Sequence, residues 1–235
     1  MENKHPSETG STRGASIVKI ALSLVYVALI FVTAGTINWP KLWFFLGFYI
    51  ITTAAFIIWL KKHDPGLFEE RMSVTKKKDV KGWDKTIIGV YTLLLLIMFL
   101  IAPLDAVRFH WSWVPPTLQW LAFSGILVSW IIVFWAFRVN PFLSGFVRIQ
   151  TDCDHTVCTT GPYRFVRHPM YLAVILAVLC LPLFLSSLFS LIPAALIAAL
   201  FVLRTSLEDK TLQKELPKYA DYAAKVRWKL IPKVW

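Results

Sequence analysis

Six apolar stretches recur along the chain, at residues 17–37, 42–60, 86–104, 117–137, 170–184 and 187–207, with polar segments between them. A helix needs about 20 mostly apolar residues to cross a bilayer, so five of these stretches read as spans by length. The fifth has 15 residues, which at a rise of about 1.5 Å each falls short of a hydrocarbon core of about 30 Å. Only Leu185 and Ser186 separate it from the sixth, so the last two stretches read as a tight helical hairpin. The pattern predicts an all-α integral membrane fold of about six transmembrane helices. Beyond Pro217, Tyr219, Tyr222, Ala223, Val226 and Leu230 repeat at helical spacing among lysines and acids, which predicts a C-terminal amphipathic helix at the membrane interface.

Composition agrees: 57% of residues are hydrophobic, 17% are charged, and the mean hydropathy is +0.59. The net charge of +11 would suggest nucleic acid in a soluble chain, but its placement gives a different answer. The segments 1–16, 61–85, 138–169 and 208–235 carry 21 Lys and Arg, whereas the intervening loops carry Lys41 and Arg108 alone. That bias puts both termini and the 138–169 loop in the cytoplasm. The basic charge reads as orientation and as contact with membrane lipids of anionic headgroup, with no nucleic acid partner. Residues 1–16 are expected to be a flexible cytoplasmic lead, 17–137 a four-helix membrane region with a basic loop at 61–85, and 138–235 the region that carries chemistry. No cleavable signal peptide is evident, because the first apolar stretch is too long for one. Cys153, Cys158 and Cys180 give an odd count on the inner side or in a span, so no disulfide framework is implied.

Few segments offer chemistry. Leu67–Met72 could lie on the membrane as a short amphipathic helix; its Glu69 and Glu70, with His63, read better as a solvated run than as catalysts. The middle of every span lacks ionisable residues, which argues against an ion-coupled transporter. Asp152, Cys153, Asp154, His155 and Cys158 are a poor ligand mix without a second Cys or His pair, so no metal is expected.

The exception is the eleven-residue segment Gly161-Pro162-Tyr163-Arg164-Phe165-Val166-Arg167-His168-Pro169-Met170-Tyr171. Its two prolines prevent one continuous helix, and Pro169 suits the first position of the helix that follows. His168 then falls at the N-cap with Arg167 beside it, at the positive end of a helix dipole, where anions bind well. One hairpin later, Arg204 and Glu208 stand four residues apart on one helix face; taken alone they read as a snorkelling arginine in an i,i+4 ion pair.

Arg167-His168-Pro169-x-Tyr171, introduced by Gly161-Pro162-Tyr163 and followed by Glu208-Asp209 and a Tyr219-x-x-Tyr222 tail, resembles the isoprenylcysteine carboxyl methyltransferases. Phospholipid N-methyltransferases share the motif. Asn140-Pro141-Phe142 and Val147-Arg148-Ile149-Gln150 also look like the microbial branch of that superfamily, and the resemblance covers roughly 138–232. It implies a membrane enzyme that uses S-adenosylmethionine (SAM), held by the loop before the hairpin and the hairpin's cytoplasmic ends. Carried over, the cofactor-binding residues are Tyr163, Arg167, His168, Pro169, Tyr171 and Glu208. The catalytic candidates are Glu208, with Arg204 and Arg227 to hold a substrate carboxylate. Asp209 stands where the family usually has Glu, one methylene shorter, which leaves its role open.

Residue chemistry runs the same way. The carboxylate of SAM suits the start of the 169 helix with Arg167 and His168, and its ammonium and ribose hydroxyls suit Glu208. The expected activity is methyl transfer to the carboxylate of a lipid-like, prenylcysteine-type acceptor drawn from the bilayer. The alternatives are a phospholipid N-methyltransferase and an NADPH-dependent membrane reductase similar to the sterol reductases.

Overall fold

The computed structural model describes residues 8–63, 65–66, 68, 80–143, 145–147 and 156–235, with side chains from residue 21 onward. Among the described residues there are seven α-helices and no strand. They are α1 (Glu8–Ala34), α2 (Pro40–His63), α3 (Gly82–Pro103), α4 (Pro116–Val139), α5 (Pro169–Phe184), α6 (Leu191–Glu215) and α7 (Tyr219–Lys225). A π-helical turn at Leu104–Arg108 prolongs α3, and a 3-10 turn at Gly161–Arg164 lies ahead of α5.

Six apolar helices thus occupy the six apolar stretches. Four of them, at Pro40–His63, Gly82–Arg108, Pro116–Val139 and Leu191–Glu215, are long and apolar enough to cross a membrane, whereas Ala21–Ala34 and Pro169–Phe184 are shorter apolar helices. This fits an integral membrane protein. Of the proposed surface helix at 67–72 only Phe68 is among the described residues, and Asp152–His155 lie outside them.

The chain forms two compact units, residues 1–78 and 79–235. In the first, α1 stops at Gly35, whose φ of +73° supplies the left-handed step that L-residues resist. The turn to α2 is then held by the Trp43 indole, which donates to the Ile37 carbonyl at 2.8 Å and stacks on Phe31.

In the second unit α5 packs between α4 and α6, and α6 also packs on α3. The α4–α5 approach is close because Gly125 has no side chain: a Cβ there would meet the Cys180 sulfur at 2.5 Å. The Ser129 hydroxyl donates to the Ala173 carbonyl at 2.8 Å across the same seam. Gly125→Ala should therefore lower stability by about 1–3 kcal/mol through overpacking. Pairing it with Cys180→Ala should restore the melting temperature; an unchanged single variant would contradict this packing.

The α5–α6 connection is longer than the two residues expected. α6 begins at Leu191 rather than 187, and Ser186 takes a φ of +68°. Asp105, fully buried after α3, makes the turn possible: its carboxylate accepts from the Ser187 hydroxyl at 2.7 Å and the Phe189 amide at 3.1 Å. Both donors lie in the turn just before Ser190, the N-cap residue of α6, where a buried amide needs an acceptor.

At the other end of the hairpin, Pro169 opens α5 with His168 as its N-cap residue, as expected. The amides of Arg167 and His168 then need acceptors, and they find the carbonyls of Trp228 and Lys229 at 3.0 and 2.9 Å. This pairing corrects the expected tail helix. Only Tyr219–Lys225 is helical, and its Tyr219 and Tyr222 face is buried against Ala136, Tyr163 and Leu216 rather than spread along the helix to Leu230. The backbone demand of the 167–168 turn draws residues 228–229 out of helical conformation.

Candidate active site

The start of α5, the last three turns of α6 and the tail after α7 converge on one cluster of ionisable side chains. Asp209 is its hub. Although 2% exposed, its carboxylate meets Arg167 twice: Nη2 donates to Oδ2 at 3.0 Å, and Nε lies 2.9 Å from Oδ1 as an ion-pair contact rather than an aligned hydrogen bond. The Tyr219 hydroxyl donates to Oδ1 at 3.0 Å, and the Gln213 amide to Oδ2 at 2.9 Å. His168 Nε2 lies 3.4 Å from Oδ1, and Lys229 Nζ 3.8 Å from Oδ2. A buried carboxylate is stable only with such partners.

The remaining guanidinium nitrogen of Arg167 donates to the Ala223 and Val226 carbonyls, both at 3.1 Å. Arg167 is therefore spent within the protein. It ties α6 to the tail, and this geometry leaves it little reach toward an anionic ligand.

The second layer of the cluster is more open. Tyr171, one turn into α5, lies parallel to the His168 ring at 5.7 Å between centroids and donates its hydroxyl to the Glu208 carboxylate. Glu208 is 20% exposed, and one of its oxygens is 4.0 Å from His168 Nδ1. Beneath Tyr171 lies the Arg204 guanidinium, 4.9 Å from the ring centroid. The i,i+4 pair expected between Arg204 and Glu208 does not form. Arg204 Nε and Nη2 donate instead to the two oxygens of Asp84 at 2.8 and 3.1 Å, and Nη2 also donates to the Gly145 carbonyl.

Tyr163 sits apart from these charges. Its hydroxyl accepts from the Asn140 side chain at 3.0 Å, and its carbonyl accepts from the Tyr222 hydroxyl at 2.7 Å. Burial pushes the phenols of Tyr163, Tyr219 and Tyr222 well above their ordinary pKa, and for Tyr219 the Asp209 charge adds to it. All three are neutral hydroxyls at physiological pH. Arg227 is exposed and makes no ion pair among the described residues. Cys158 donates its thiol to the Val139 carbonyl.

The structure thus brings together His168, Pro169, Tyr171, Arg204 and Glu208, joins Arg167 to them through Asp209, and leaves Tyr163 in the adjoining core and Arg227 at the surface.

A family model for isoprenylcysteine carboxyl methyltransferases matches residues 122–214. That region has the family's sequence. The match begins within α4, earlier than the resemblance read from the motifs, and ends one residue short of the last residue of α6. All of α5 with its Arg-His-Pro-x-Tyr start lies inside it, as do Arg204, Glu208 and Asp209. The cobalt-zinc-cadmium resistance protein CzcN of Cupriavidus metallidurans is 31% identical over 141 residues, which is 58% of this chain and 59% of that relative. The chain thus aligns with about three-fifths of the length of this curated relative.

Three residues of the cluster escaped the sequence reading. Asp84, Gln213 and Lys229 have no local pattern that marks them. Asp84 lies 120 residues from its partner and outside the matched region. Asp209, left open by its departure from the usual Glu, is the most heavily partnered acid in the cluster. Its signal was present in the sequence: an acid one residue after Glu208, and five after Arg204, points to a different face of α6.

Proposed function

We infer that the chain is a SAM-dependent membrane methyltransferase with an acceptor drawn from the lipid phase. The observation that carries this is the partly exposed Glu208 carboxylate, with Tyr171 and the buried His168 against it, set on a buried ion pair at the end of a short apolar helix. The family match to the same segment supports it.

The residues present fit the cofactor in part by charge. Glu208 is the one acid of the cluster with appreciable exposure, and it suits an ammonium or ribose hydroxyls. Lys229 Nζ, partly exposed over the Trp235 ring, and His168 are the nearby groups suited to a carboxylate, since Arg167 is already engaged. SAM supplies a methyl group on a cationic sulfonium. The protein then has to hold the acceptor in line, exclude water and leave no stray nucleophile nearby. The neutral tyrosines and the paired buried charges serve that end, because none is a competing nucleophile. The proposed sidedness places this end of the molecule at the cytoplasmic face, in line with the 21 basic residues of its loops.

The favoured acceptor is a carboxylate on a lipid-like tail. It needs no general base, because it is ionised at neutral pH. Arg204 and Arg227 are the residues proposed to face it. One observation favours a second reading: Asp84 neutralises Arg204, which weakens its pull on an acceptor anion and suits a phospholipid amine instead. An amine nucleophile would have to lose a proton, with His168 or Glu208 placed to take it.

Calorimetry on detergent-solubilised protein tests the reading. SAM should bind, NADPH should not, and His168→Ala should bind SAM more weakly. NADPH binding without SAM would move the chain to the reductases. Transfer of labelled methyl from SAM into carboxylate esters or into phospholipid amines then separates the two acceptors.

A further inference from the structure

Arg204 and Glu208 are one helical turn apart on α6, the spacing at which an arginine and a glutamate ordinarily pair. They do not pair. The guanidinium turns away to Asp84, which is fully buried in the first turn of α3 and accepts three hydrogen bonds: two from Arg204 and one from the Val147 amide at 2.8 Å. Lys81, at the N-cap of α3, donates its own amide to the Val147 carbonyl. The start of α3 and the segment 145–147 therefore form a socket that fits the arginine head, with the Gly145 carbonyl as its fourth side. The Tyr171 ring closes the socket from above, and its hydroxyl reaches Glu208 on the far side.

We propose that Asp84 is a positioning residue that sequesters Arg204 and so keeps the Glu208 carboxylate free for a cationic ligand. Without the charge at Asp84, Arg204 is a buried cation with no acid but Glu208 on its own helix face. Leaving a charge unpaired there is costly, so the side chain swings back to Glu208. Glu208 is then neutralised by the protein before any ligand arrives. Asp84 lies outside the region matched to the methyltransferase family, and no local pattern in the sequence connects it to the site. The inference rests on Glu208 as the SAM-facing carboxylate proposed above.

The test uses the full chain in detergent, with Asp84→Asn, and with Asp84→Asn combined with Arg204→Met. Asparagine keeps the shape and an acceptor for Val147 but loses the charge. SAM binding should weaken roughly tenfold or more in Asp84→Asn, as expected when a buried cation is left to compete for Glu208. It should recover toward the parent value in the double variant, which has no competitor. A residue with a merely structural role would give no such recovery. Unchanged affinity in Asp84→Asn, or a double variant that folds yet binds no better than the single one, overturns the proposal. If Asp84→Asn does not fold, the double variant decides, because replacing a buried pair by apolar groups is often tolerated. If the parent itself binds no SAM, the proposed function fails instead. An experimental ligand-free structure of Asp84→Asn then decides this inference: Arg204 against Glu208 supports it, and Arg204 still against Gly145 overturns it.

Discussion

Asp209→Ala is expected to destabilise the protein by about 3–5 kcal/mol, the cost of stranding a buried charge. Arg167 would lose its counter-ion in a site only 9% exposed. Tyr219 and Gln213 would lose their acceptor at the same time, and the tail held by Arg167 would loosen with them. For a chain of this size that corresponds to a fall in melting temperature of roughly 6–20 °C. SAM binding should disappear with it, because His168 and Tyr171 are set by the same structure. The physical cause can be separated from simple loss of contact. Arg167→Met with Asp209→Leu removes both charges together and should melt closer to the parent than Asp209→Ala does. A single variant that melts with the parent would show that Asp209 is not the hub of this cluster.

Glu208→Gln should have the opposite profile: folding unchanged, SAM affinity lost. The side chain is partly exposed and its one hydrogen bond is from Tyr171, which glutamine can still accept. What glutamine lacks is the negative charge. A hydrogen bond to a charged group contributes about 1.5–3 kcal/mol, so the dissociation constant should rise by about 10- to 100-fold. Melting within a degree or two of the parent, together with calorimetric loss of binding, would place the effect at the ligand. Unchanged binding would remove Glu208 from the cofactor site.

These two neighbours differ in how legible they are along the chain. Glu208 was legible because it completes a motif with Arg167, His168 and Tyr171 and lies one turn from Arg204. Asp209 was legible only as a departure from a family pattern, since its five partners come from the turn before α5, from α6, from α7 and from the tail. Proline chemistry led correctly to the start of α5, because the restraints of Pro162 and Pro169 are local and survive any tertiary context. The tail helix was overextended because its apolar spacing continues past Lys225, whereas two unpaired amides at Arg167 and His168 claim residues 228 and 229. The Arg204–Glu208 pair was inferred from a sound local rule, and a distant acid overrode it.

What the sequence by itself determined is the part controlled by local physics: six apolar helices, the hairpin near the end, the proline-initiated α5, and the motif residues Arg167, His168, Tyr171, Arg204 and Glu208. Apolar length, capping and proline restraint act within a few residues and need no partner. What only the tertiary structure decided is which charge meets which. Arg167 joins Asp209 across 42 positions and Arg204 joins Asp84 across 120. Buried charges take the partner that best repays their loss of water, and which acid lies nearest in space depends on how the helices pack, not on spacing along the chain.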